Sequence, residues 1–136
     1  MKTVFLAQAA VTVFMTGVIW FVQIVHYPLM ARVGIAGFQS YECDHARLTS
    51  YVVVIPMLAE LLLAMYLAVR LPSLFSITGA VLVIVIWCST FLLQVPQHDV
   101  LRNGFESSAH SRLVATNWIR TIAWSVRALL VWYWIH

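Results

Sequence analysis

The chain has 136 residues, of which 62% are hydrophobic and 10% charged, with a mean hydropathy of +0.90; soluble domains carry far more charge, so this is the composition of an integral membrane protein. A single domain over residues 1–136 is expected, because the longest segment not dominated by apolar residues runs only from Ala31 to Thr49 and cannot build a second core. The net charge of +3 and pI near 9.2 do not indicate nucleic acid, since the basic residues are scattered singly and form no stripe.

A bilayer core of about 30 Å takes about 20 apolar residues as a helix. The first such run, residues 4–26, follows Met1 and Lys2 as in a signal peptide, but it exceeds an apolar region of about 7–15 residues and is expected to be a retained span. At about 100° per residue, its Gln8, Thr12, Thr16, Gln23 and His26 fall within about 80° of one another and form one polar stripe. A long connection then starts at Tyr27 and Pro28 and contains Gly34 and Gly37, with room for an interfacial helical turn over residues 38–45. The second span, 48–69, aligns His45, Thr49, Pro56 and Glu60 within about 60°.

Arg70 to Ser73, with Pro72 inside it, is short enough only for an antiparallel hairpin into the third span, 74–95. A second long connection runs from Pro96 to His110, where Asn103-Gly104 is a turn signal and Ser107-Ser108 an N-cap signal. The fourth span, 113–134, gathers Asn117, Arg120, Trp124 and Arg127 into about 80°. The fold class is therefore all-α: an antiparallel four-transmembrane-helix bundle with both termini on one side. Arg32, Arg47, Arg102 and Arg112 lie at the long connections and Lys2 and Arg70 at the other end, so the positive-inside rule places the long connections in the cytoplasm and both termini outside. Trp20, Tyr27, Tyr41 and Tyr51 at one end, and Trp132, Tyr133 and Trp134 at the other, read as interfacial belts. Cys43 and Cys88 fall in a polar connection and an apolar run, so no disulfide is expected.

Polar residues inside a span face the bundle interior. Glu60 and Arg127 each lie about 20–25 Å from the histidine-bearing ends of their helices, which predicts an ion pair, either a structural one or part of a proton relay. His26, His45, His98 and His110 all fall at that end. Neutral imidazoles from several helices could hold a transition metal, with Glu42, Asp44 and Asp99 as carboxylate candidates; haem ranks below it because no paired mid-helix histidines occur. Plain interfacial histidines are the alternative. Arg120 and Asn117, about one turn apart, suit a carboxylate, phenolate or quinone oxygen, unless Arg120 pairs with Asp99 or Glu42.

The strings His26-Tyr27-Pro28-Leu29, Pro56-Met57-Leu58-Ala59-Glu60-Leu61, Val95-Pro96-Gln97-His98-Asp99 and Asn117-Trp118-Ile119-Arg120-Thr121 are similar to those of small bacterial four-span proteins. These distantly resemble the anthrone-oxygenase-like family. The resemblance implies a bacterial inner-membrane location, oxidation of polycyclic phenols to quinones, and a pocket lined by Pro96, His98, Asp99, Trp118 and Arg120. His98 would take a phenol proton while Arg120 stabilises the phenolate.

The first functional expectation is thus a membrane oxidoreductase acting on a lipophilic phenolic or quinone-like molecule, in a cavity bounded by Gln23, His26, His98, Asn117, Arg120 and Trp124. The alternative is a non-enzymatic accessory subunit, or a pigment- or lipid-binding protein, within a larger complex. A transporter ranks last, for want of an inverted repeat. Membrane lipids, a lipophilic small molecule, and either further copies of the chain or a larger complex are the expected partners.

Overall fold

Two prolines decide where the helices change character. Pro28 and Pro96 have no N–H to give the carbonyl four residues back, and just before each the helix widens into a π turn, Val22–His26 and Thr90–Gln94. The Tyr27 and Val95 amides close these turns on the carbonyls of Val22 and Thr90, five residues back. Both prolines are thereby absorbed without ending their helices.

The computed structural model describes residues 1–135. It contains four long helices and, among the described residues, no strand: α1 (Lys2–Met30), α2 (Ile35–Arg70), α3 (Leu74–Leu101) and α4 (Ser107–Ile135). The first three are long and apolar enough to cross a membrane. The α4 helix is of comparable length, but Asn117, Arg120 and Arg127 lower its apolarity.

The two long connections expected from the sequence are corrected. The α2 helix begins at Ile35 and the α3 helix continues to Leu101, leaving only residues 31–34 and 102–106 between helices. Hydropathy had marked where apolar residues stop, and the helices do not stop there. After Gly37, no Gly or Pro interrupts the polar part of α2, so its backbone has no cause to break. Its 36 residues span about 54 Å, well beyond a hydrocarbon core of about 30 Å. Its first turns project past the region where its apolar residues begin. After α3, Gly104 takes φ 134°, the left-handed region open to glycine, and the Asn103 and Gly104 amides close the turn on Val100 and Leu101.

At the other end, Ser73 and Ser76 form a reciprocal capping box at the start of α3. Ser73→Ala is expected to lower stability by about 1 kcal/mol, measured by thermal unfolding in detergent.

Packing registers follow from named contacts. Along α1 and α4, Phe5 meets Trp134, Thr16 meets Trp124, Gln23 meets Asn117 and Tyr27 meets His110, so position rises on one helix as it falls on the other. The same opposition holds for α3 and α4, through Phe75 with Tyr133 and Gln94 with Thr116. Two apolar clusters separate the polar layers. One, built on Met15, Ile19, Met57, Ile86, Ala123 and Trp124, lies mid-bundle; the other, built on Tyr27, Met30, Phe38, Leu101, Ala109 and Leu113, closes the histidine end.

Candidate functional site

The polar stripes meet in three layers. In the deepest, Arg127 Nε lies 3.0 Å from Glu60 Oε1, both side chains 2% exposed. Glu60 also accepts from Thr12 Oγ1 at 2.8 Å and from Trp124 Nε1 at 2.7 Å, and Arg127 donates to the Gly79 carbonyl. Gln8 supports the layer by donating to Thr12. A buried pair is tolerable only with its remaining donors and acceptors occupied, and here three helices besides α2 contribute. Trp124, expected among the ligand contacts, instead spends its N–H on Glu60.

The middle layer holds Gln23, Asn117 and Arg120. Asn117 Nδ2 donates to Gln23 Oε1 at 2.8 Å, and Gln23 Nε2 to the Val114 carbonyl at 3.3 Å. These two residues join α1 to α4, leaving Asn117 Oδ1 buried without a hydrogen-bond partner. Arg120 places its guanidinium carbon 5.6 Å from the centre of the Trp124 ring, and its Nε is buried and unpartnered. The expected pairing with Asp99 or Glu42 does not occur: Asp99 holds Arg102 at 2.8 Å, and Glu42 holds His98 at 2.5 Å.

The outer layer is the histidine end. The π turn of α1 delivers His26 and Tyr27, the polar extension of α2 delivers Tyr41, Glu42 and His45, and the segment after the π turn of α3 delivers His98. His26 and His45 stack with ring centroids 4.3 Å apart, and His45 lies 5.4 Å from His98. Tyr41 flanks the stack, its hydroxyl 3.4 Å from His26 Nε2. His98 sits between two partners, Glu42 Oε1 at Nδ1 and the Tyr27 hydroxyl 3.3 Å from Nε2. With Glu42 ionised, Nδ1 carries the proton and donates, which leaves Nε2 to accept from Tyr27. Glu42 is fully buried and its Oε2 has no hydrogen-bond partner. Three imidazoles this close repel one another when charged.

The four-histidine metal site expected from the sequence is corrected. His110 turns Nε2 to the Tyr27 carbonyl at 2.8 Å, outside the stack. His26 and His45 meet face to face, tilted by 24°, which does not aim their nitrogens at one point. Among the described residues, no group of three or more His, Cys, Asp or Glu is placed to hold a metal ion. Asp44 and Asp99 are exposed and paired with Arg47 and Arg102. The pocket implied by the resemblance is also not assembled: Pro96 is exposed, and Trp118, 39% exposed, packs its ring against Trp20. Of the residues expected to bound a cavity from Gln23 to Trp124, Gln23 and Asn117 bond each other and Trp124 bonds Glu60.

Access is instead from the sides. One surface groove, of about 590 Å³, runs between α1 and α2 from His26, His45 and Thr49 to Val13. A second, of about 470 Å³, runs between α2 and α3 from His45 and His98 to Leu58 and Trp87. Both reach His45. The sequence had assigned Tyr27 and Tyr41 to an aromatic belt, yet Tyr27 is 2% exposed and bonded to His98. Prolines one residue after Tyr27 and two before His98 were the available signal, since each follows a π turn, but a proline alone does not dictate one: Pro56 sits inside α2 without it. No family model, curated protein or solved structure matches the chain.

Proposed function

We propose that all four helices cross the membrane as an antiparallel bundle with both termini on one side, the histidine end facing the cytoplasm, in a bacterial inner membrane. The bundle is read as an oxidoreductase for a lipophilic phenolic or quinone-like molecule that enters laterally and places its oxygen at the imidazole cluster. The observation that carries this reading is the 2.5 Å contact between the buried Glu42 and His98, at the end of a groove open to lipid. A carboxylate holding one nitrogen of an imidazole fixes its tautomer and strengthens the other nitrogen as a base. Tyr27 occupies that second nitrogen, so a substrate hydroxyl gives up its proton through the Tyr27 hydroxyl or by displacing it. Arg120, with no carboxylate partner, adds positive potential beneath the site and favours a phenolate. The chain's part is to bind the ring and take a hydroxyl proton; as the hydroquinone becomes the quinone, two electrons and the second proton pass to an external oxidant, dioxygen or a soluble dye.

The test is turnover of hydroquinones by the purified protein with dioxygen or an added soluble dye as electron acceptor, followed by quinone absorbance, with His98→Ala and His45→Ala beside the wild type. His45 lines both grooves and meets His98 through its ring, 5.4 Å away, with no hydrogen bond to the Glu42–His98 pair, so its variant is expected to fold while losing activity. Equal rates in wild type and both folded variants would overturn the reading. A second reading, an accessory subunit, is favoured by the engagement of both His98 nitrogens within the protein; it predicts no turnover and stoichiometric co-purification of a larger partner.

A further inference from the structure

The groove between α2 and α3 has a polarity that changes along its length. Its upper end is formed by His45, His98, Asp99 and Arg102, and its lower end by Leu58 and Trp87. From His45 to Leu58 the α2 helix rises about 20 Å. Below Thr49 and Ser50 the α2 wall is apolar, through Val53, Val54, Met57 and Leu58, and the α3 wall carries Trp87 and Phe91, whose rings lie 5.5 Å apart.

The charges at the upper end cancel in pairs. Arg102 is held by Asp99 at 2.8 Å, Arg47 by Asp44 at 2.7 Å, and His98 by Glu42. The one lysine or arginine among the described lining residues, Arg102, is engaged by Asp99, whereas the imidazoles offer hydrogen bonds and flat faces to a neutral ring. The α1–α2 groove reaches only His26, His45 and Thr49 among polar residues and lacks the Glu42-backed base.

Resting on the reading of the cluster given above, we propose that the α2–α3 groove seats a single-tailed membrane lipid with an uncharged, oxygen-bearing ring, of the isoprenoid quinol and quinone class. The ring lies at His45 and His98 and the tail runs along Val54 towards Leu58. A phospholipid brings a phosphate, and the one lysine or arginine lining this groove, Arg102, is already paired with Asp99.

The experiment uses two benzoquinone photoprobes on the full-length protein in mild detergent, one with a diazirine on the ring and one with it at the end of an alkyl tail. Labelled peptides are read by mass spectrometry. The tail probe is expected to label residues 53–58 or 87–91 saturably, in competition with a tailed quinone and not with phosphatidylcholine. In Val54→Trp/Leu58→Trp, which fills the groove from positions 46% and 43% exposed, that labelling is expected to fall at least tenfold while ring-probe labelling near His45 persists. Tail labelling scattered over the outer faces of α1 and α4, or competed by phosphatidylcholine, with saturable ring labelling retained, would overturn the groove assignment alone. Absence of saturable labelling by either probe would overturn both this inference and the reading of the cluster.

Discussion

Glu60→Ala is expected to lower stability by about 3–5 kcal/mol, because it leaves the Arg127 guanidinium buried without its counter-ion. Trp124 Nε1 and Thr12 Oγ1 lose their acceptor in the same change, and each buried unsatisfied donor costs about 1–3 kcal/mol. Removing both charges should cost less than removing one. Glu60→Leu/Arg127→Leu eliminates the uncompensated cation and fills the space with apolar atoms, so it is expected to be more stable than Glu60→Ala and to retain mainly the Trp124 and Thr12 penalties. Unfolding in detergent, followed by circular dichroism over the double-mutant cycle, checks this. A pair that also relayed protons would show a loss of activity in the double variant beyond its loss of stability.

Glu42→Gln is expected to move activity and stability in opposite directions. Turned with its NH2 towards His98 Nδ1, the glutamine puts the ring proton on Nε2 and removes the acceptor that faces Tyr27; turned the other way it accepts from Nδ1–H without the charge that strengthens Nε2 as a base. Loss of a general base lowers rate by about 10²–10⁴-fold, and hydroquinone oxidation should fall within that range. Stability should hold or rise, because the substitution removes a fully buried carboxylate whose second oxygen has no partner. Parallel turnover and unfolding measurements separate this from a purely structural role, in which the two would fall together.

The deepest layer was the most legible part of the sequence. Glu60 and Arg127 could be matched because helical rise fixes depth and a charge in hydrocarbon requires a counter-charge, and the stripe residues Gln8, Thr12, Gln23 and Asn117 are all buried. The histidine end was legible only as a coincidence of residue type. Its detailed arrangement depends on two π turns and on α2 continuing as helix through residues 35–47, and neither leaves a hydropathy signal. Hydropathy reads where lipid ends, and polar residues such as Gln39, Glu42 and Asp44 look the same in a helix extension as in a loop. Hydropathy alone therefore makes Tyr27 an anchor and Glu42 one carboxylate among three, and it does not show that Asp99, at the upper end of the α2–α3 groove, is held by Arg102.

Occupancy of the imidazole cluster by a lipophilic ring compound is read by organic extraction of the protein after gentle detergent purification, with mass and absorption spectra of what is released. A phenolic or quinone species is expected in near-stoichiometric amount from the wild type, and is lost from folded His45→Ala. An extract of bulk phospholipid alone, with no such species and none retained when one is supplied, would contradict it.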